Sequence, residues 1–232
     1  QPSPQDQEQV IAYGPCVAAA VNAAKKASPA ATVAALGKWS TLLLDYLPSS
    51  KEGVFASIST SVEILIGSSL TEEVKREALS NMEGDCARAL MAFIARLTKS
   101  LGYQYQEAWG FVLVLHSCLY RALGPGFGQW IAGALHTVSE LAQDTESPHN
   151  SAAELALAAA INGLGVEEFL TVLPLNFGLA VDDENRREWL LPVLKAHVCR
   201  SKLSTFGQHL LPLANQIKEQ GLAAKKEGRP VQ

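Results

Sequence analysis

The sequence predicts an all-α protein built from paired helices stacked in layers, and three observations lead there. Apolar residues recur at spacings of three and four along nearly the whole chain, the period of a helix with one buried stripe. Helix start and stop signals punctuate that pattern at short intervals. Strand signals are almost absent: Ser57 to Ile66 alternates for a few residues, but its apolar positions suit a helix equally well. The composition agrees with a packed core. Of 232 residues, 48% are hydrophobic and 18% charged, too apolar for a disordered segment.

In order, helices are expected near 7–26, 29–47, 51–68, 71–79, 83–101, 104–123, 127–143, 148–163, 165–173, 186–200 and 203–225. Ser28-Pro29 reads as an N-cap followed by proline in the first turn, and Ser147-Pro148 repeats the signal before 148–163. Pro48 with Ser49 and Ser50 closes the Ala-rich helix 29–47. Gly102 and Gly124 supply C-terminal breaks, because glycine reaches left-handed dihedrals without a Cβ clash. The clearest amphipathic helix is 83–101, where Cys86, Leu90, Phe93, Ile94, Leu97 and Leu101 share one stripe and Arg88, Arg96 and Lys99 face away. The next helix differs. In 104–123 the stripe of Trp109, Val112, Leu113, His116, Leu119, Tyr120 and Leu123 is joined by Phe111, Val114, Leu115 and Cys118, which cover most of the remaining surface. A helix apolar nearly all round is buried between neighbours, so 83–101 is expected outside and 104–123 inside.

Helix pairs starting near 7, 51, 83, 127 and 186 give irregular intervals that straddle the roughly 40–47 residues of HEAT and armadillo repeats. No strict repeat is visible, so the expected architecture is an α-solenoid of degenerate HEAT/armadillo-like pairs. It would form a single helical-repeat unit over 1–232: an Ala-rich leading pair (1–50), central repeats (51–173), a connection (174–187), a C-terminal pair (188–226) and a tail (227–232). The connection, Pro174 to Arg187, is rich in Gly, Asn and Asp and has no period, which suits a partner-contacting loop. The start at Gln1 and the Lys/Gly/Pro-containing tail suggest a piece of a longer polypeptide.

Several chemistries are disfavoured by spacing. Cys16, Cys86, Cys118 and Cys199 stand far apart, without a CxxC or CxxH pair, so neither a zinc ribbon nor a disulfide framework is expected. The thiols read as buried or inert in a reducing compartment. His116 lies mid-stripe and reads as a core histidine, and the remaining histidines lack HxxxH or HExxH spacing. Asp182-Asp183-Glu184 could hold a hard cation, but a solvated loop or a helix cap explains it better without a second acidic cluster. Gly124-Pro-Gly126-Phe-Gly128 lacks the Lys-Ser/Thr of a phosphate loop and reads as a helix-to-helix turn. Gly67-Ser68-Ser69 lacks the setting of a nucleophile elbow. No catalytic residue, metal site or cofactor is therefore expected. No apolar run reaches the length of a membrane span, and no secretory signal is expected at the N-terminus.

Charge is uneven. Residues 1–185 carry 10 basic and 20 acidic side chains, whereas 186–232 carry 9 basic and 3 acidic. The cations Lys195, Arg200, Lys202, Lys218, Lys225 and Lys226 are candidates for contact with phosphate or with an acidic partner. On helical phase Lys218 and Lys225 fall about 20° apart. A solvated surface with a flexible tail accounts for them as well. A patch this small predicts weak, salt-sensitive binding, without the interleaved aromatics that stack single-stranded bases.

Three stretches occur in a recognisable order: Tyr103-Gln-Tyr-Gln-Glu-Ala-Trp109-Gly-Phe-Val-Leu-Val-Leu115, then Trp189-Leu-Leu-Pro192-Val-Leu194, then Leu210-Leu-Pro212-Leu-Ala-Asn215. In this the chain resembles the middle domain of the ribosomal RNA-processing protein 12 family, nucleolar HEAT-repeat proteins. The resemblance is good over 155–226, fair over 51–124 and weak in the first fifty residues. His209 and Leu210 stand where the pattern leads one to expect an aromatic pair. Trp189, Pro192, Leu210, Pro212 and Asn215 carry the specific part. From the residues alone, Trp189 reads as a core anchor, and Pro192 and Pro212 as kinks or as helix starts displaced toward the proline.

The resemblance implies a non-enzymatic factor in pre-rRNA processing and in small-subunit assembly and export. Its partners would be proteins of pre-ribosomal particles, with pre-rRNA and nuclear transport factors as further candidates and no membrane. Its place would be the nucleolus and nucleus, with shuttling to the cytoplasm. The competing expectation is a karyopherin-like transport solenoid that captures cargo or a small GTPase. An all-helical enzyme would need converging groups in a deep pocket.

Overall fold

The computed structural model describes residues 2–3, 6–23, 28–49, 52–176 and 187–198, with isolated positions between 207 and 219. Among the described residues the elements are α1 (Gln7–Ala23), α2 (Pro29–Leu44), a 3-10 turn (Leu47–Ser49), α3 (Glu52–Ser69), α4 (Glu72–Ser80) and α5 (Asp85–Lys99). A second 3-10 helix (Tyr103–Ala108) leads into α6 (Trp109–Leu123), α7 (Gly128–Gln143), α8 (Asn150–Leu164), α9 (Val166–Val172) and α10 (Leu190–His197). No described residue is in a strand.

Local signals set most of these boundaries. The Ser28 hydroxyl accepts from the Ala31 amide at 3.4 Å, and Pro29 fills the first turn of α2. Thr71 caps α4 in the same way, accepting from Val74 at 3.3 Å, with Glu72 and Glu73 at the positive end of the helix dipole. Gly124 ends α6 at φ +78°, a conformation that favours glycine.

The helices form two layers. In the first, α1, α3, α6, α8 and α10 pack side by side in that order; in the second, α2, α5, α7 and α9 do the same, with α4 lying on α5 and α2. The layers meet through α2 on α3, α7 on α8 and α8 on α9. Packing thus passes from neighbour to neighbour, as in a solenoid. As expected, α5 and α6 occupy different layers. Within the first layer α3, α6 and α8 run parallel: Phe55 and Phe111, near the starts of α3 and α6, lie 5.8 Å apart, and Gly163 near the end of α8 meets Tyr120 near the end of α6. The α2–α3, α5–α6 and α7–α8 connections therefore share one edge of the slab, and the α6–α7 and α8–α9 connections share the other.

The tightest crossing is α6 on α8. Ala153, Ala156 and Ala160 are buried there, and a Cβ added to Gly163 would sit 2.2 Å from the Tyr120 carbonyl oxygen. Only a side chain of one hydrogen lets the two backbones approach so closely. His116 lies fully buried in this core. Its Nδ1 is 2.9 Å from the Val112 carbonyl, and its ring meets Tyr120 edge-on at 5.8 Å. Burial pushes its pKa down to about 4, so the imidazole is neutral, and burial likewise pushes the Tyr120 hydroxyl up.

Five expectations need correction. The 104–123 helix begins as a separate 3-10 helix, whose i, i+3 eclipsing turns Tyr105 and Ala108 together into the core. Ser147-Pro148 does not cap α8: the Ser147 hydroxyl accepts from His149 within the turn, and the helix starts at Asn150, whose side-chain amide donates to the Ala142 carbonyl at 2.6 Å. Gly102 has φ −65° and precedes the 3-10 helix instead of ending α5 in a left-handed cap. The helix expected over 186–200 is shortened to Leu190–His197, so Pro192 falls in the first turn, where the missing amide costs no hydrogen bond. Arg96 does not face away. Its side chain is only 15% exposed, paired with Asp45 at 2.7 Å and donating to the Tyr105 hydroxyl at 3.2 Å.

Candidate interaction surface

The C-terminal cations are not gathered into one patch by the described residues. Lys195 is exposed in the last turn of α10, where a positive charge suits the carbonyl end of the helix, and Lys218 is an exposed helical residue. Arg200, Lys202, Lys225, Lys226 and Leu210 lie outside the described residues, as does Asp182-Asp183-Glu184. Pro212 and Asn215 are exposed helical residues, whereas Trp189 packs half-buried against the core. Its indole Nε1 is buried without a hydrogen-bond partner among the described residues. Arg187 has a structural duty: its guanidinium donates to the Pro174 carbonyl at 2.8 Å and its amide to Leu175 at 3.1 Å. The two ends of the 174–187 connection are thereby held together.

A different surface stands out. Each helix of the first layer leaves a large aliphatic side chain exposed: Ile11 on α1, Ile64 on α3, Val114 on α6, Leu155 on α8 and Leu191 on α10, with Leu155 62% accessible. Small residues such as Ala12, Ala19, Ala20, Ala56 and Thr60 are exposed beside them. Among the described side chains of this layer, the carboxylates and cations are Glu8, Glu63, Arg121, Glu154 and Lys195. Glu63 and Arg121 flank the Cys118 thiol, whose pKa is raised first by burial and then by the Glu63 charge. Exposed aliphatic side chains on adjacent helices make this layer the candidate interaction surface.

The sequence pattern placed α6 as buried all round, and this is the point it missed. Val114 is exposed and Phe111 and Cys118 are partly so, because α3 and α8 flank α6 and leave its outer face open. Cys16, expected to be buried or inert, is exposed on α1.

The two edges of the slab differ as well. On one, the Gly124–Gly128 turn holds a carboxylate of the chain itself: Glu168 accepts from the amides of Gly126 at 2.7 Å and Gly128 at 2.5 Å. The turn reading holds, and its free amides are used to join the start of α7 to α9. On the other edge, Leu47 and Pro48 face the Tyr103–Ala108 3-10 helix across a shallow groove of about 280 Å³. A second shallow groove of about 280 Å³ lies between α2 and α5, lined by residues such as Val33, Gly37, Lys38, Ala92 and Phe93. No group of three or more His, Cys, Asp or Glu residues stands close enough to hold a metal ion among the described residues. No single described helix is long and apolar enough to cross a membrane.

Paired helices stacked in two layers, packed from neighbour to neighbour, define the class: a helical-repeat protein of the solenoid type. Residues 48–232 match the family described as "Ribosomal RNA-processing protein 12, HEAT repeats", and the chain belongs to that family. It is 29% identical over 147 residues to a human RRP12-like protein, a match covering 63% of this chain and 11% of that protein. To the RRP12-like protein of Drosophila melanogaster it is 30% identical over 167 residues, 72% of this chain and 12% of that one. To a putative ribosomal RNA-processing protein 12 of Schizosaccharomyces pombe it is 31% identical over 101 residues, 44% of this chain and 9% of that one. The chain thus spans about a tenth of the length of these curated relatives.

Proposed function

We propose that the chain is a non-catalytic scaffold in ribosomal RNA processing and small-subunit assembly, which docks assembly factors of the pre-ribosomal particle on the open face of α1, α3, α6, α8 and α10. The observation that carries this reading is the row of exposed aliphatics on that face, one on each helix of the layer. Apolar side chains on adjacent helices offer a partner about 25 cal/mol per Å² of surface removed from water, and the scarcity of charge lets a protein surface close over them without desolvating ions. Membership of the family, and the rRNA-processing names of the relatives, supply the setting. In this reading the protein acts in the nucleolus and nucleus and accompanies subunits toward export. Lys195 and Lys218 would add salt-sensitive contact with pre-rRNA, secondary to protein docking.

The test is recovery of pre-ribosomal particles on the protein carrying Val114→Asp together with Leu155→Asp. The reading predicts loss of assembly factors from the purified material at unchanged thermal stability. Undiminished recovery would contradict it, and so would recovery that depends on Lys195 and Lys218 alone.

A further inference from the structure

The groove on the α2–α3 and α5–α6 edge is separate from the aliphatic face and has its own construction. One wall is Leu47 and Pro48; the other is the whole Tyr103–Ala108 3-10 helix. Arg96 ties the two walls together from beneath. Its guanidinium pairs with Asp45, just ahead of Leu47, at 2.7 Å, donates to the Tyr105 hydroxyl at 3.2 Å, and lies 5.7 Å from the centre of the Tyr105 ring. The groove is thus held open by an ion pair whose Arg96 side chain is largely buried and whose Asp45 carboxylate reaches solvent, and its shape is set before any ligand arrives.

Three features of its rim bear on what would fit. Tyr103 is 81% exposed, so its ring faces are bare at the mouth of the groove. Glu107 is exposed in the same wall, between the exposed amides of Gln104 and Gln106 and the start of α6. Beyond it, the edge-on contact of Trp109 with His149 at 5.7 Å brings up the α7–α8 turn, where Asp144 and Glu146 are exposed. The positive charge of Arg96 is matched by Asp45, and among the described residues Lys99, at the end of α5, is the exposed cation nearest in sequence to the 3-10 helix. Among the described residues the groove wall itself carries Glu107, with Asp144 and Glu146 on the neighbouring α7–α8 turn and Lys99 at the end of α5.

We propose that this groove is a docking site for an extended, arginine- and lysine-rich segment of a partner protein, with Tyr103 and Glu107 as its main contacts. A guanidinium or ammonium stacked on the Tyr103 ring gains from the negative face of the aromatic system, and Glu107 supplies the opposite charge beside it. The Gln104 and Gln106 amides offer both donors and acceptors to an extended backbone. A groove one short 3-10 helix long takes a few residues of extended chain; a docked helix would overhang it. The same carboxylates repel phosphate, so RNA is the wrong occupant for this edge, whatever it does elsewhere on the molecule.

The test is fluorescence anisotropy with a labelled arginine-rich nonapeptide and the whole chain at low salt. Binding is expected, and it should weaken about tenfold in Tyr103→Ala and in Glu107→Lys, by less in Asp144→Lys with Glu146→Lys, and steeply with added salt. All these side chains are exposed, so circular dichroism melts of the variants should overlay the parent. A peptide of the same length with glutamate for arginine should not bind, and a single-stranded RNA should not compete. The proposal is overturned if the arginine-rich peptide does not bind, if Tyr103→Ala and Glu107→Lys leave its affinity unchanged, or if the RNA displaces it. Because no ribosomal particle enters the measurement, its outcome is distinct from that of the aliphatic-face test.

Discussion

The two layers of this protein obey the same helical period yet use it differently. In the second layer, α5 buries Cys86, Leu90, Phe93, Ile94 and Leu97 along one stripe and turns Asp85, Arg88 and Lys99 to solvent. In the first layer, α6 buries Val112, Leu113, Leu115, His116 and Leu119 and still presents Val114 to the outside, with Arg121 alone as a charge. Neighbours in the first layer also approach more closely, through Gly163 and the alanines of α8. Amphipathic patterning therefore reports where a helix meets water, whereas apolar patterning all round leaves two outcomes open: full burial, or an apolar face left exposed.

The contrast is broken most sharply at the glycines. Gly163→Ala pushes a Cβ onto the backbone of α6, an obstacle that no side-chain shift relieves, and is expected to cost about 4 kcal/mol in denaturant unfolding. Gly133→Ala, on α7 of the other layer, meets open space and should stabilise by about 0.5–1 kcal/mol. Equal effects at the two sites would remove the difference in packing between the layers.

Next in size is a pH effect from His116. Its folded pKa of about 4 lies below the ordinary value of 6.5, so the unfolded chain takes up the proton first. The stability is complete above pH 6.5 and is lost as pH falls toward 4, to a total of about 3 kcal/mol. His116→Leu should flatten that part of the stability–pH curve; an unchanged curve would show that the ring is not held neutral.

Glu168→Ala leaves the amides of Gly126 and Gly128 without their acceptor, at a cost of about 2 kcal/mol, and Glu168→Gln should recover about half. Thermal melts decide this one. The smallest stability effect belongs to the proposed docking face: Leu155→Lys should change unfolding by less than about 0.5 kcal/mol.

Helix existence was legible throughout, because the three-and-four spacing survives in every described element from α1 to α10 and the Ser28-Pro29 cap is local chemistry. Boundaries failed where tertiary contacts compete with local signals. Ser147 looks like a cap, but Asn150 reaches back to Ala142 and Asp144 and takes over the helix start. Arg96 looks like a solvent-facing cation, and only the fold brings Asp45 to it across 51 residues. The family was readable in three short motifs. The proposed docking surfaces were not: the sequence draws attention to the C-terminal cations, since charge clustering is visible along a chain. The aliphatic face is assembled from single residues on five separate helices, and the edge groove joins residues 47–48 to 103–108. Neither leaves a contiguous mark.

The most direct measurement places a photo-crosslinking residue at Leu155 of the first layer and, in a second protein, at the exposed Met91 on α5, and identifies the products within assembling pre-ribosomal particles. The account predicts crosslinks to assembly-factor proteins from position 155 and little from position 91. Products from 91 alone, or RNA as the dominant product from 155, would contradict it.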